Sequence, residues 1–206
     1  MIKAIIFDMG GVLIDLDINR CWDNFKAQAG FDRIEEFVST CHHQSFVGAF
    51  EAGEIDESQF YAECRKYCRP GVSDQLISDC FSSLLVDMSD EKAAYLKELS
   101  TRYDLYMLSN NNPINMRASE AVFRKHGISF DEIFKDLFIS CEMKMNKPCP
   151  EIFREAIRRI GRERSELLFV DDSPRNVAEG RLHGIHTVLY RQGDDMRAVL
   201  EPVLGE

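Results

Sequence analysis

Four short apolar runs punctuate the chain: Ile5-Ile6-Phe7, Leu105-Tyr106-Met107-Leu108, Leu167-Leu168-Phe169-Val170 and Thr187-Val188-Leu189-Tyr190. Each is continuous rather than alternating, and helical patterns lie between them. Short continuous runs of this kind are strands covered on both faces, as in a parallel sheet. Phe138-Ile139-Ser140-Cys141 adds a weaker fifth strand. Pro150 opens a helix whose Ile152, Phe153, Ala156, Ile157 and Ile160 form one face and which Gly161 stops. A further helix is expected from about Pro174 to His183-Gly184. Alternating strand and helix predict an α/β fold with a Rossmann-like, doubly wound parallel sheet.

The first and second strands are far apart, and the stretch between them has no strand pattern. Asp56-Glu57-Ser58-Gln59 has the form of a capping box, and Phe60, Cys64, Tyr67 and Cys68 follow at helical spacing. Ser73 can cap a second helix carrying Leu76, Ile77, Cys80, Phe81, Leu84 and Leu85 on one face. Residues 20–50 also read as helical, with indistinct ends. The organisation expected is therefore an α/β core made of residues 1–14 and 89–206, with a helical cap of residues 15–88 inserted into it.

Composition narrows the function classes. With 206 residues the chain can bury a sizeable core. A net charge of -10 and a pI near 5.0 argue against nucleic acid or an anionic membrane as partner. They leave room for an anionic small molecule wherever a cation reverses the local field. No apolar run reaches the roughly 18–20 residues of a membrane span, and Met1 to Asp8 does not read as a signal peptide. Seven cysteines, scattered and without a CxxC pair, read as reduced packing residues of a cytoplasmic protein. Cys41-His42-His43 lacks the second ligand cluster that a closed zinc site needs.

In parallel α/β sheets ligands collect outside the carboxyl ends of the strands. Asp8, Ser109-Asn110 and Asp171-Asp172 stand at three such ends, and Lys147 follows the weaker strand, just before a helix. Carboxylates, a hydroxyl and a lysine converging on one edge suit a divalent cation together with a phosphate. Carboxylate oxygens hold Mg²⁺, and lysine offsets the remaining negative charge.

The order and spacing of these four pieces resemble the haloacid dehalogenase-like hydrolase superfamily over essentially the whole chain. Asp8-Met9-Gly10-Gly11-Val12 is similar to its first motif, D-x-D-G-[TV]. Ser109 with Asn110, Lys147 and Asp171-Asp172 resemble the second, third and fourth, and the insert resembles its helical type 1 cap. Phe50-Glu51-Ala52-Gly53-Glu54-Ile55 followed by Phe60 is similar to the cap of a subgroup containing bacterial α-glucose-1-phosphate phosphatases and the epoxide-hydrolase N-terminal phosphatase.

The resemblance implies a role for each position. Asp8 is the nucleophile that forms an aspartyl-phosphate, and its other oxygen binds Mg²⁺. Asp172, supported by Asp171 and the Gly10 carbonyl, completes the metal site. Ser109 and the Asn110 N–H hold phosphoryl oxygens, and Lys147 balances charge between Asp8 and phosphate. Gly11 lets the backbone approach the phosphate closely.

One position departs from the pattern. Most phosphatases of the family carry a second Asp, a general acid, where this chain has Gly10. Asp15 and Asp17 are the nearby carboxylates that could replace it. The expected activity is a Mg²⁺-dependent phosphatase of small phosphorylated metabolites, sugar 1-phosphates among them. The alternatives are a metal-independent 2-haloacid dehalogenase and a phosphate-binding protein with weak catalysis. Arg20, Trp22, His42, His43 and Phe46 are cap residues placed to line a pocket. Linkers near Leu13–Asp17 and Val86–Asp90 are the expected hinges, and oligomeric state is not legible.

Overall fold

The computed structural model describes residues 1–38 and 45–205. Its sheet has five parallel strands, β1 Ala4–Phe7, β2 Asp104–Ser109, β3 Phe134–Ile139, β4 Leu167–Asp171 and β5 His186–Leu189, in the order β3-β2-β1-β4-β5. Ile5 stands opposite Leu105 on one side and Leu168 on the other, so the three central strands end nearly level. Polar chemistry at those ends therefore meets at one edge.

Among the described residues, four α-helices lie between β1 and the second half of the chain: α1 Ile18–Asn24, α2 Phe46–Glu51, α3 Glu57–Arg65 and α4 Asp74–Ser82. They are followed by α5 Asp90–Arg102, α6 Pro113–Lys125, the single turns α7 Phe130–Ile133 and α8 Ser140–Met143, then α9 Pro150–Ile160, α10 Pro174–Leu182 and α11 Met196–Leu204.

The continuous apolar runs have their reason in the two faces of the sheet. Ile5, Phe7, Leu105, Met107, Leu168 and Val170 join one buried cluster with Tyr95, Leu96 and Leu99 of α5 and Leu200 and Leu204 of α11. Their neighbours Ala4, Ile6, Tyr106, Leu108, Leu167 and Phe169 join another with Ile152, Phe153, Ala156 and Ile160 of α9. Because successive side chains alternate faces, both parities must be apolar when both faces are covered.

The strand expected at Phe138–Cys141 lies earlier, at Phe134–Ile139, and Ser140 and Cys141 open α8 instead. β3 is an edge strand, so Lys135 and Asp136 are exposed there and break the apolar signal. The helix over Phe60 stops at Arg65, short of Tyr67 and Cys68. Its capping box is present, with Asp56 and Gln59 each bonding the other's backbone N–H. Ser73 caps α4 through the Leu76 N–H.

Residues 18–82 form a further apolar cluster, built on Cys21, Phe25, Phe31, Phe50, Phe60, Cys64, Ile77 and Phe81, which Ile114 of α6 joins. Cys64 and Cys80 are buried packing residues in it, as their spacing implied. The two connections to the sheet domain run side by side: Leu16 pairs antiparallel with Leu85, Asp15 N–H donates to Asp87 O at 2.8 Å, and Val86 N–H donates to Asp15 O at 2.9 Å. The Gln192 side chain closes on this pair from the loop after β5, accepting from Leu16 N–H at 2.7 Å and donating to Leu16 O at 3.0 Å. Among the described residues, no helix is long and apolar enough to cross a membrane.

Candidate active site

Asp8, one residue past β1, is buried at 9% exposure. Its Oδ1 accepts from the Met9 N–H at 2.7 Å, and its Oδ2 faces Lys147 Nζ at 3.0 Å. Lys147 comes to this point from the loop before α9 and is 1% exposed. Its Nζ lies 2.6 Å from Asp171 Oδ2 and 5.5 Å from the centre of the Phe169 ring. Asp8, Asp171 and Asp172 each offer a carboxylate oxygen within 4.8 Å of the others, with Asp172 the exposed member. Sequence reasoning placed all four of these residues at one edge, and they meet there.

Three carboxylates against one ammonium leave the cluster strongly negative. Burial pushes the Asp8 carboxyl up to about 7; the Asp171 and Asp172 charges add to the rise and Lys147 opposes it. Burial and the Asp171 charge likewise raise Asp172. Burial alone would lower Lys147, but the Asp171 and Asp8 charges outweigh it and keep this side chain a cation. A hard divalent cation among these oxygens would relieve the carboxylate repulsion, so the donor set fits one.

The two adjacent aspartates differ in how they are held. Asp171 Oδ1 accepts from Ser173 N–H at 2.8 Å and from Asn176 Nδ2 at 3.0 Å, while Oδ2 takes Lys147 and a second contact to Asn176 Nδ2 at 3.1 Å. Both oxygens are therefore engaged by the protein. Asn176 was not anticipated; its only signal is its place in the first turn of the helix that follows the aspartates.

Ser109 ends β2, and its Oγ makes no hydrogen bond among the described residues. Asn110 holds the backbone of Lys147 by a reciprocal pair: its Nδ2 donates to Lys147 O at 2.9 Å, and its Oδ1 accepts from Lys147 N–H at 2.7 Å. The side chain thus couples the end of β2 to the lysine loop. Next to it, the Asn111 N–H donates to Ser140 Oγ at 2.9 Å, a link that sequence reasoning also missed.

Gly10 and Gly11 form a tight turn in which Met9 O accepts from Ile14 N–H and Ile14 O from Gly11 N–H. Gly10's own carbonyl accepts no hydrogen bond among the described residues. Gly11 has φ +74°, and a Cβ there would stand 2.4 Å from Asp172 Oδ2. The glycine is thus demanded by the turn and by the neighbouring carboxylate, and its N–H is already used. Gly11→Ala is expected to cost about 1–3 kcal/mol from the backbone conformation alone. A thermal melt of the variant checks this, and an unchanged midpoint would contradict it.

The carboxylates considered as replacements for the missing Asp have other duties. Asp15 pairs with Lys92 Nζ at 3.0 Å, and Asp17 caps α1 by accepting from Arg20 N–H at 3.2 Å. Of the residues expected to line a pocket, Trp22 donates its indole N–H to Val38 O at 2.9 Å, and Phe46 packs among Phe37, Phe60 and Tyr67. Both pack against the apolar cluster of Phe25, Phe31 and Phe60. Arg20 is exposed, while Cys41, His42 and His43 lie outside the described residues.

A family model described as haloacid dehalogenase-like hydrolase matches residues 2–184. The chain belongs to the haloacid dehalogenase-like hydrolases. Over 206 residues, the whole of both chains, it is 28% identical to a D-ribitol-5-phosphate phosphatase of Bacteroides thetaiotaomicron. A solved structure of an enzyme of this family from the same organism, in complex with magnesium and inorganic phosphate, is similar at TM-score 0.92 and 34% identity. That match covers 97% of this chain and 99% of the other. A predicted hydrolase of the family from Porphyromonas gingivalis has TM-score 0.91 and 33% identity, covering 100% and 99% of the two chains. This hydrolase chain thus brings Asp8, Lys147, Asp171 and Asp172 together on one sheet edge.

Proposed function

We propose that the protein is a Mg²⁺-dependent phosphatase of small phosphorylated sugars or polyols that works through an aspartyl-phosphate on Asp8. The observation that carries the reading is the buried Asp8, fixed by the Met9 N–H and Lys147 within 4.8 Å reach of two further carboxylates. The polyol phosphate class rests on the ribitol-phosphate phosphatase relative, and it widens the sugar 1-phosphate expectation. A dehalogenase fits less well, because three carboxylates would repel a haloacid anion. Six free cysteines among the described residues suit a cytoplasmic setting.

In this reading a carboxylate oxygen of Asp8 bonds to phosphorus as the bond to the leaving oxygen breaks. Water then attacks phosphorus and releases Asp8 and inorganic phosphate. Ser109 Oγ and the Asn110 N–H hold two phosphoryl oxygens in place. Lys147, kept charged and aimed by Asp171 and Asn110, offsets the negative charge of the transferring group. Asp8, Asp172 and the Gly10 carbonyl would hold Mg²⁺, which supplies the positive charge that lets a phosphate approach these carboxylates. Asp171, saturated by protein donors, serves as a positioning residue.

Residues 15–88 act as a cap over residues 1–14 and 89–206. The paired linkers support this, as does the Arg117–Glu57 ion pair, two contacts of 3.0 and 2.6 Å between α6 and α3. A closed cap excludes water and selects the leaving group. Chelation is the direct test of the metal: EDTA is expected to abolish turnover of an aryl phosphate and Mg²⁺ to restore it. Asp172→Ala should raise the Mg²⁺ concentration needed for half-maximal rate by about 10–100-fold, the range seen when groups supporting a metal are removed. Full activity in metal-free buffer would overturn the metal requirement.

A further inference from the structure

The phosphatase reading leaves one step without a residue: the proton for the leaving oxygen. Gly10 has no side chain, and a Cβ built there meets Leu16 Cδ1 at 2.9 Å. Leu16 is fixed in that space by Gln192 and by its pairing with Leu85. The position of the usual acid is therefore filled by hydrocarbon. Asp15 and Asp17 are occupied by Lys92 and by the α1 N-terminus.

A further carboxylate belongs to α2, where the Asp8 charge reaches it. Glu51 is the last residue of α2, and its backbone carbonyl accepts from Ser140 Oγ at 2.6 Å. The same hydroxyl accepts from the Asn111 N–H, two residues past Ser109. The turn after Glu51 is seated equally firmly. Gly53 has φ +64°, a Cβ there would fall 2.1 Å from Cys141 O, and Lys144 Nζ donates to Gly53 O. These contacts set the C-terminal end of α2 on the ends of β2 and β3, beside the proposed phosphate-binding residues. The Glu51 carboxylate is half-buried and has neither a hydrogen bond nor an ion pair among the described residues. Its neighbour Glu54 is exposed.

We propose that Glu51 is the general acid and base of this enzyme, replacing from the cap the aspartate that Gly10 lacks. The inference rests on the phosphatase reading. As the Asp8–phosphorus bond forms and the phosphorus–oxygen bond to the leaving group breaks, the Glu51 carboxyl gives its proton to the departing oxygen. The resulting carboxylate takes a proton from the water that attacks the aspartyl-phosphate, which returns Glu51 to its starting form. Burial, with the Asp8 charge adding to it, pushes the Glu51 carboxyl up to about 7, so that a proton is present near neutral pH. The acid stands on the proposed cap, so closure of that cap over a substrate would couple to proton delivery.

The test uses the full chain with Mg²⁺ and a series of aryl phosphates, from 4-nitrophenyl phosphate, whose leaving group departs readily, to phenyl phosphate, whose leaving group needs a proton. Glu51→Gln keeps the backbone carbonyl that anchors the turn. The variant is expected to release a first equivalent of 4-nitrophenolate within about threefold of the wild-type rate and then accumulate phosphoenzyme, trapped by acid quench. With phenyl phosphate its first turnover should fall by about 10²–10⁴-fold. Glu51→Asp should lie between the two. An equal loss across the series, or no loss at either end, would overturn the assignment of Glu51. Retention of turnover by Asp8→Asn in the same series would instead overturn the aspartyl-phosphate reading itself.

Discussion

Asp8→Asn is expected to lose turnover by about 10⁴-fold or more while the protein stays folded. The amide keeps the size of the carboxyl and removes the nucleophilic charge. Stability should hold because the site has too much negative charge to begin with. Asp8 is buried close to Asp171 and Asp172, and their charges raise the cost of its own. Lys147 keeps its shorter contact, 2.6 Å to Asp171, when Asp8 is neutral. The expected change in unfolding free energy is within about 1 kcal/mol, because relief of the carboxylate repulsion offsets the weakened Asp8–Lys147 pair. Turnover measured beside urea unfolding of the same preparation checks both halves. A variant that kept a tenth of its turnover would exclude Asp8 as nucleophile.

Lys147→Ala at the same cluster is expected to be destabilising by about 3–5 kcal/mol, the range for removing one member of a buried ion pair. The Lys147 and Asp171 side chains are fully buried, and that of Asp8 is 12% exposed, so water cannot replace the missing ammonium. Asp171 retains Ser173 and Asn176, but both are neutral donors. Turnover should fall as well, by about 10²–10³-fold, because the charge facing the transferring phosphoryl is gone. Equilibrium unfolding is the decisive measurement. A loss below about 1 kcal/mol would mean that the carboxylates are solvated and the pair is exposed in solution. The two variants thus test one charge balance from both sides: neutralising a carboxylate is tolerated by the fold, and removing the cation is not.

Much of this was legible in the residues alone. The apolar runs at β1, β2 and β4 are unambiguous because helices cover both faces of those strands, so no polar position interrupts them. β3 was misplaced because an edge strand can expose Lys135 and Asp136 without cost. Asp8, Lys147, Asp171 and Asp172 could be grouped in advance because parallel strands deliver their ends to one edge whatever the helices do.

Other assignments depended on contacts between segments remote in sequence. Asn176 looks like an ordinary polar residue, and the Asn110 side chain has no role beside that of its N–H, until their partners, Asp171 and the Lys147 backbone, are known. Asp15 and Asp17 looked available because nothing nearby in sequence shows Lys92 reaching back to the linker. Glu51 lay in a stretch whose pattern was visible, yet its place beside the site comes from Ser140, 89 residues away. Hydrophobic periodicity and strand direction are local properties, and they determined the sheet, its occupied edge and the four chemical positions on it. Which carboxylate oxygens are already engaged, and which segment is seated beside the ends of β2 and β3, are set by partners from distant segments, and only the tertiary structure decided them.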